Sequence, residues 1–266
     1  RDDSLLGARH SVALMLCSIG KDAPRSGALP AMTRTADVVV IGGGLHGCST
    51  ALHLALRGLK PILVEKDYAG RHASGVNAGG VRQLARHIAE IPLSIASMAI
   101  WENIEELVGD DCGFSSHGTV LVAESDQELA DFRARVDDLR LKGFTHEELI
   151  DRAELKRLVP AVSDHCPGGV VSRRDGAADP FRTTQAFRRR AVERGAEVIE
   201  GVRVTGLARN GSVWRVETSD GAIEATKVVN AAGAWADRIA AMLGESVPLT
   251  VVAPMLMVTS RLPAFI

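Results

Sequence analysis

Three glycines within 36–47 have the spacing of a phosphate-binding loop. Gly42, Gly44 and Gly47 form G-x-G-x-x-G directly after the apolar run 37–41. In such a loop the first glycine allows a tight turn and the second lets a pyrophosphate approach the backbone. The third lets the following helix pack closely on the sheet. The free amide groups and the positive dipole end of that helix would then face the phosphates.

A carboxylate completes this pattern. Glu65 lies roughly 20 residues beyond the loop, at the end of the next predicted strand, where a carboxylate can accept hydrogen bonds from ribose hydroxyls. A carboxylate at this position also disfavours a 2′-phosphate, so NADP is not expected as the ligand. The pattern predicts a bound dinucleotide. A glycine-rich turn in an unrelated α/β protein is the alternative interpretation.

The elements around the loop form the context that the motif requires. Residues 37–41 are β-branched and apolar, which is typical of a strand buried on both faces of a parallel sheet. A helix with one small apolar face follows and is expected to end at Gly58, and a second buried strand follows at 61–65. Strand, helix and strand together make a βαβ unit of about 30 residues.

The middle of the chain lacks this βαβ rhythm. Helices are predicted at 98–108 and at 125–143, the second with a capping box of Ser125 and Glu128. A second capping signal, Asp151 with Glu154, predicts a further helix start. Short strands are predicted at two places, 118–123 and 168–172. Interleaved helices and strands of this kind indicate an α+β insertion.

The α/β rhythm returns after this insertion and is then interrupted by a β-meander. A helix is predicted at 184–194, ended by Gly195, with a strand after it. Two hairpin signals, Asn210-Gly211 and Asp220-Gly221, join three alternating strands. These strands are predicted at 202–209, 212–219 and 222–229. A small-residue turn at 231–233 and a helix ending near Gly244 follow.

Composition excludes several function classes. A net charge of −2 provides no electrostatic reason to expect nucleic acid or an anionic membrane as partner. The arginine run 188–190 is interpreted as a solvated helix face. The four cysteines lack C-x-x-C spacing, so we expect reduced, buried thiols, no metal site and a cytoplasmic protein. No apolar run reaches about 18 residues, so no transmembrane segment is expected. Residues 1–31 are expected to be a disordered or misassigned extension.

The chain after the first βαβ unit favours a flavin over a nicotinamide. A nicotinamide dehydrogenase normally continues with further βαβ repeats, whereas here a meander leads to a second small-residue turn at 231–233. Two such turns can close on one extended, permanently bound dinucleotide. The run 71–83 is also rich in small residues, which lets backbone lie against a flat ligand. An NAD-dependent dehydrogenase stays as an alternative, and it predicts reversible coenzyme binding.

Four stretches resemble the FAD-dependent D-amino-acid oxidase superfamily, in its sarcosine oxidase and glycine oxidase branch. They are 37–66, 73–82, 175–180 and 228–236, and the resemblance runs from residue 35 to the end. It implies a Rossmann-like FAD-binding domain (32–95 and 180–245) with a β-meander and an inserted α+β substrate domain (96–179 and 246–266). The activity implied is oxidation of the C–N bond of a small amine or amino acid by hydride transfer to flavin N5.

The resemblance also implies a set of cofactor-binding residues. The pyrophosphate is expected at the glycine loop, the adenosine ribose at Glu65, adenine at Val204 and a second flavin contact around Trp235. The full set implied is Gly42, Gly44, Leu45, His46, Gly47, Glu65, Lys66, Ser74, Asn77, Ala78, Gly79, Gly80, Val204, Ala232, Gly233 and Trp235. Trp235 could equally be a core residue of its helix.

Two further side chains have alternative interpretations. Arg82 is the candidate catalytic residue, because the planar guanidinium matches a substrate carboxylate with two charge-assisted bonds. An ordinary surface arginine in a salt bridge is the alternative. His72 could attach flavin covalently, as a histidine does in some relatives, and a plain loop histidine is the favoured interpretation.

The last residues depart from the family pattern. Relatives extend well beyond the equivalent of Ile266, and 249–266 is interpreted as the opening strands of a substrate-domain sheet. We therefore expect a C-terminally incomplete chain. Two hypotheses remain: a flavin-dependent amine or amino-acid oxidoreductase represented by a partial chain, or a non-catalytic flavin-binding subunit or inactive fragment of a larger oxidase complex with partner subunits.

Overall fold

The computed structural model describes residues 33–252, 255 and 256. The strands are β1 (Arg34–Ile41), β2 (Pro61–Val64), β3 (Gly80–Val81), β4 (Ser115–Ser116), β5 (Thr119–Ala123), β6 (Glu148–Asp151), β7 (Gly168–Ser172), β8 (Gly176–Ala177), β9 (Glu197–Ile199), β10 (Val204–Asn210), β11 (Val213–Thr218) and β12 (Gly221–Asn230). The α-helices are α1 (Leu45–Leu56), α2 (Ala73–Val76), α3 (Ile91–Trp101), α4 (Ile104–Val108), α5 (Asp126–Leu141), α6 (Arg152–Leu158), α7 (Pro180–Glu193) and α8 (Ala236–Ala241).

The main sheet has six strands in the order β10-β11-β12-β1-β2-β9. Strands β12, β1, β2 and β9 are parallel, whereas β10, β11 and β12 form an antiparallel meander. Ile41 lies beside both Val64 and Asn230, so the carboxyl ends of β1, β2 and β12 meet at one edge. The predicted βαβ unit and both predicted hairpins are confirmed.

Alternate residues of β1 and β2 face opposite cores. On one face Val38, Val40 and Leu63 pack with residues of α1 and α7. On the other face Val39 and Ile41 pack with residues of the meander and of α8. Both faces of β1 are therefore covered, as the β-branched run predicts.

The chain between β2 and α7 contains two small antiparallel sheets. One has the order β3-β8-β4 and the other β5-β7-β6. The predicted strands at 118–123 and 168–172 are confirmed as β5 and β7, and they pair directly. Four strands were not predicted: β3, β4, β6 and β8. Three of these have two residues each, which is too short for any alternation to be visible.

Two predicted helices have different bounds in the structure. The single helix predicted at 98–108 is wrong, because α3 begins at Ile91 and a break separates it from α4. Asn103 lies at this break, where its side-chain amide donates to the Ala99 carbonyl at 2.9 Å. Helix α7 begins at Pro180, before the predicted start. Asp179 is its N-cap and accepts from the Arg182 amide at 2.8 Å.

The predicted terminal segments fall mostly outside the described residues. This is true of the expected extension at 1–31 and of 257–266. Strands were predicted from 249 onwards, yet the described residues 249–252, 255 and 256 belong to no strand. That part of the prediction is wrong.

The arginine run of α7 is neutralised by carboxylates. Arg188 pairs with Glu200 at 2.7 Å, Arg189 with Asp110 at 2.6 Å, and Arg190 with Glu193 at 2.9 Å. The predicted solvated helix face is therefore a set of ion pairs, which leaves no excess positive charge for a phosphate backbone.

Three cysteine thiols lie in the core. Cys48, Cys112 and Cys166 are free and buried, while Cys17 is outside the described residues. Burial raises the pKa of the Cys48 thiol to about 12, which keeps it protonated and unreactive. Among the helices of the described ranges, none combines the length and apolar character needed to cross a membrane.

Candidate cofactor site

The glycine loop leaves β1 at the sheet edge where three carboxyl ends meet. Gly42 has φ +111°, and its amide donates to the Val64 carbonyl at 2.9 Å. A Cβ on Gly47 would collide with the Gly42 carbonyl oxygen, whereas the β1 side chain of Val40 would be at an ordinary 3.6 Å. Gly47 is thus required by the turn itself, and its predicted role in helix-on-sheet packing is secondary.

The first turn of α1 leaves amide groups available to a ligand. Its N-cap is Gly44, which has no side chain to cap the helix. The first intrahelical donor is Cys48, which bonds the Gly44 carbonyl at 2.9 Å. Because Cys48 is the first donor, the amides of His46 and Gly47 have no partner in their own helix. The Leu45 amide donates to Ser74 Oγ at 3.0 Å. Such a helix end is suited to a phosphate.

Glu65 lies beneath this loop and is 7% exposed. Its Oε2 accepts from the Gly43 amide at 2.6 Å and its Oε1 accepts from the Asp67 amide at 2.9 Å. Each carboxylate oxygen keeps lone pairs for a further donor, such as a ribose hydroxyl. A Cβ on Gly43 would stand 2.9 Å from the Glu65 Cβ, so Gly43 must be small for Glu65 to approach. Sequence reasoning missed this glycine because it occupies a variable position of G-x-G-x-x-G, where the motif requires no glycine.

Trp235 joins residues that are far apart in sequence. The Lys66 ammonium lies 3.7 Å from the centroid of the indole ring, and the His72 ring centroid lies 4.7 Å from it. His72 Nε2 is 2.8 Å from Asp67 Oδ2, and this hydrogen bond is the main reason that the pKa of Asp67 is lowered. Trp235 is half-buried and belongs to neither core of the main sheet.

These groups line one cleft of about 770 Å³, within the range of about 300 to 1,000 Å³ usual for cofactor sites. Its lining includes Gly42, Gly44, His46, Glu65, Lys66, Ser74, Asn77, Ala78, Val204, Ala232, Gly233 and Trp235, all of them predicted site residues. Val204 lies where β10 has a bulge, which ends regular pairing next to the cleft.

The other predicted positions lie elsewhere. Gly47 is buried inside α1. Leu45, Gly79, Gly80 and Arg82 line a second cleft of about 550 Å³ instead. His46, Ser74 and Asn77 line both clefts, so the two share a wall.

The main cleft also has three arginines that sequence reasoning did not single out. They are Arg71, Arg203 and Arg238. Arg71 opens the small-residue run and Arg203 directly precedes Val204, so adjacency to predicted positions was the available signal. Apolar wall is added by Ile239 and Met242.

Arg82 is exposed at the second cleft, just after β3. Within the described ranges it forms no ion pair, which argues against a salt-bridged surface arginine. Its carbonyl accepts from Arg86 Nε at 3.1 Å, and Arg86 lines the same cleft.

Comparison with protein-family models identifies the family of this chain. Residues 37–265 match the model described as DAO, FAD dependent oxidoreductase. The chain belongs to the DAO family. DAO-family enzymes are FAD-dependent amine and amino-acid oxidoreductases, so the predicted family and α/β fold class are confirmed.

Three DAO-family relatives illustrate the similarity. Mitochondrial sarcosine dehydrogenase of Mus musculus is 33% identical over 86% of this chain and 26% of its own. Sarcosine oxidase subunit beta of Rhizobium meliloti is 32% identical over 80% of this chain and 53% of its own. The crystal structure of L-proline dehydrogenase from P. horikoshii superposes with a TM-score of 0.74 and 31% identity, over 80% of this chain and 57% of that one. The chain thus spans about a quarter to a little over half of the length of these relatives.

Proposed function

We propose that the chain binds FAD in the main cleft and takes part in oxidising the C–N bond of a small secondary amino acid. The substrates in the relatives' names, sarcosine and L-proline, both carry a secondary amine beside a carboxylate. Bound FAD would supply, at N5, the acceptor for the hydride that leaves the carbon next to nitrogen, and water would hydrolyse the resulting imine.

The residues of the main cleft fit FAD. The unpartnered amides of the α1 N-terminus would hold the pyrophosphate, and Glu65 would hold the adenosine ribose. A Cβ on Gly42 would collide with the Ala231 carbonyl oxygen and a Cβ on Gly47 with the Gly42 carbonyl oxygen, so both glycines are needed for the turn that leads into α1. Val204 would face adenine, while the segment from Ser74 to Ala78 and the turn from Ala232 to Trp235 would line the ligand from two sides.

Arg82 would hold the substrate carboxylate. The single observation that carries this role is that Arg82 lines a second cleft, which shares a wall with the main cleft, and has no acidic partner in the described ranges. A planar guanidinium there can bind a carboxylate with two parallel hydrogen bonds and leave the amine directed towards the shared wall.

The domain division is proposed on the same basis. Residues 32–95 and 180–245 would form the FAD-binding domain, because they contribute every strand of the six-stranded sheet. Residues 96–179 and 246–266 would belong to the substrate domain.

A second candidate function follows from one relative. Sarcosine oxidase subunit beta is by its name part of a larger assembly. A flavin-binding subunit that needs partner subunits for turnover is therefore the alternative to a self-sufficient enzyme.

The visible spectrum of the purified chain, before and after denaturation, tests the proposal. Flavin absorption bands are expected, with FAD released on denaturation. Anaerobic addition of sarcosine or L-proline should bleach these bands, and sarcosinamide, which lacks the carboxylate, should bleach them poorly. A yellow protein that no amine bleaches would support the subunit alternative. A colourless protein that takes up no added FAD would contradict the proposal.

A further inference from the structure

The loop at 82–86 carries both arginines of the second cleft, and its backbone is held from beneath. Strand β3 ends at Val81, so no regular element supports the residues that follow. Gln83 and Leu84 are nevertheless 1% and 0% exposed. Ala85 has φ +57°, a conformation that L-residues with a Cβ avoid unless their surroundings impose it.

Asp175 binds two successive amides of this loop. Its Oδ1 accepts from the Gln83 amide at 2.9 Å and its Oδ2 accepts from the Leu84 amide at 3.0 Å. The Ser172 hydroxyl donates to Oδ1 at 2.8 Å. The Asp175 side chain is fully buried, at 0% exposure. A carboxylate in such a place is tolerated only when hydrogen-bond donors surround it. Two of the three donors to Asp175 are amides of the loop.

Glu147 binds the next amide. Its Oε1 accepts from the Ala85 amide at 2.9 Å, and it is 2% exposed. Arg135 of α5 bonds both Glu147 oxygens, at 2.8 and 2.7 Å, and its Nη2 also donates to the Arg86 carbonyl at 2.9 Å. Three successive amides and one carbonyl of the loop are thus bound by buried or half-buried charged side chains.

We infer that Asp175 and Glu147 are positioning residues for Arg82. By holding the backbone of 83–86 they fix the direction in which the Arg82 guanidinium enters the second cleft. The inference rests on the proposed role of Arg82 in binding a carboxylate. A buried charged clamp on a loop is an expensive way to obtain stability alone, because apolar packing of similar volume does as well or better.

The first measurement is amide hydrogen exchange of the full chain loaded with FAD. In Asp175→Asn one acceptor oxygen becomes an NH2 donor, so at least one loop amide loses its partner. The amides of Gln83 or Leu84 should exchange about ten- to a hundredfold faster, while those of Val39 and Val40 in β1 stay unchanged. Asp151→Asn is the matched control, because Asp151 caps α6 through the Glu154 amide and does not touch the loop.

The second measurement is the ratio of dissociation constants for sarcosinamide and sarcosine, taken from the anaerobic flavin spectrum. Asp175→Asn and Arg82→Met should both lower the wild-type preference for sarcosine by about tenfold, the loss of one charged hydrogen bond. The limiting bleaching rate should change less than the dissociation constant. Arg82→Met should leave the exchange of the loop amides at the wild-type rate.

Unchanged exchange and unchanged preference in Asp175→Asn would overturn the inference while leaving the role of Arg82 intact. If the wild-type chain shows no preference for sarcosine over sarcosinamide, the role of Arg82 in binding the carboxylate is overturned, and the positioning role falls with it. If Asp175→Asn does not fold, Arg135→Lys serves instead. It keeps the charge but loses the paired bonds to Glu147 and the bond to Arg86. The Ala85 amide, which Glu147 binds, should then exchange faster, and the preference for sarcosine should fall.

Discussion

At the residue scale, the loop after β1 depends on residues that have no side chain. Gly42, Gly43 and Gly47 each lie where a Cβ would meet backbone or a buried carboxylate. Two of them belong to a known spacing and one does not. The turn between β1 and α1 needs glycine at these positions, because a Cβ at each would collide with neighbouring backbone or with the Glu65 side chain.

Gly47→Ala tests this crowding. The added Cβ would collide with the Gly42 carbonyl oxygen, so the loop or α1 must shift. We expect a loss of about 2 kcal/mol or more in the free energy of unfolding, despite the better helix propensity of alanine, together with weaker FAD binding. Urea unfolding followed by circular dichroism measures the first effect.

Gly206→Ala is the matched control. Gly206 lies in β10, and its added Cβ would stand 3.5 Å from the Glu217 Cβ, an ordinary contact. Its unfolding free energy should stay within about 0.5 kcal/mol of wild type. Equal behaviour of the two variants would contradict the crowding argument.

At the element scale, the segment that enters β6 has a buried titratable group. The His146 side chain is 8% exposed, and neither ring nitrogen has a hydrogen-bond partner in the described structure. Burial lowers the pKa of His146, an effect that Arg135 supports and that the nearby carboxylates Glu147 and Asp175 oppose. The imidazole is therefore held neutral where a free histidine would gain a proton.

This histidine predicts acid sensitivity. Below about pH 6.5 the unfolded chain binds a proton at His146 that the folded chain does not, so stability falls as the pH falls from there towards the lowered folded pKa. Between pH 7.5 and 5.5, wild type should lose more unfolding free energy than His146→Phe, measured by urea titration at each pH. His165→Gln, which alters an exposed histidine, should lose as much as wild type. Equal losses in wild type and His146→Phe would show that His146 does not contribute.

At the scale of the whole molecule, the main cleft joins segments that are remote in sequence. Four of the segments that form its wall are the loop after β1, residues 64–78, the start of β10 and the turn before α8. A ligand that contacts all four segments binds only the folded chain and stabilises it by mass action.

FAD is therefore expected to raise the melting temperature. At a concentration one hundred times its Kd the gain is about 2.7 kcal/mol, which corresponds to roughly 5–10 °C for a chain of this size. NAD⁺ at the same concentration is the control and should shift the melting temperature by less than about 1 °C. A larger shift with NAD⁺ than with FAD would return the nicotinamide alternative to first place.

Local patterns in the sequence determined most of the main sheet and the glycine loop. These patterns are the β-branched run, the spacing of Gly42, Gly44 and Gly47, and the Asn-Gly and Asp-Gly pairs. Each acts over a few residues, so its structural consequence can be predicted without knowledge of the fold. Most of the cofactor residues that the family resemblance implied share one cleft in the structure.

Only the tertiary structure decided which distant groups meet. The contact of Trp235 with Lys66, the placement of Arg82 on a second cleft, and the hold of Asp175 and Glu147 on the loop at 82–86 join residues from separate elements. Strands of two residues were missed for a related reason, since backbone pairing with a distant partner creates them. Such contacts depend on packing across the whole chain, and no local pattern records them.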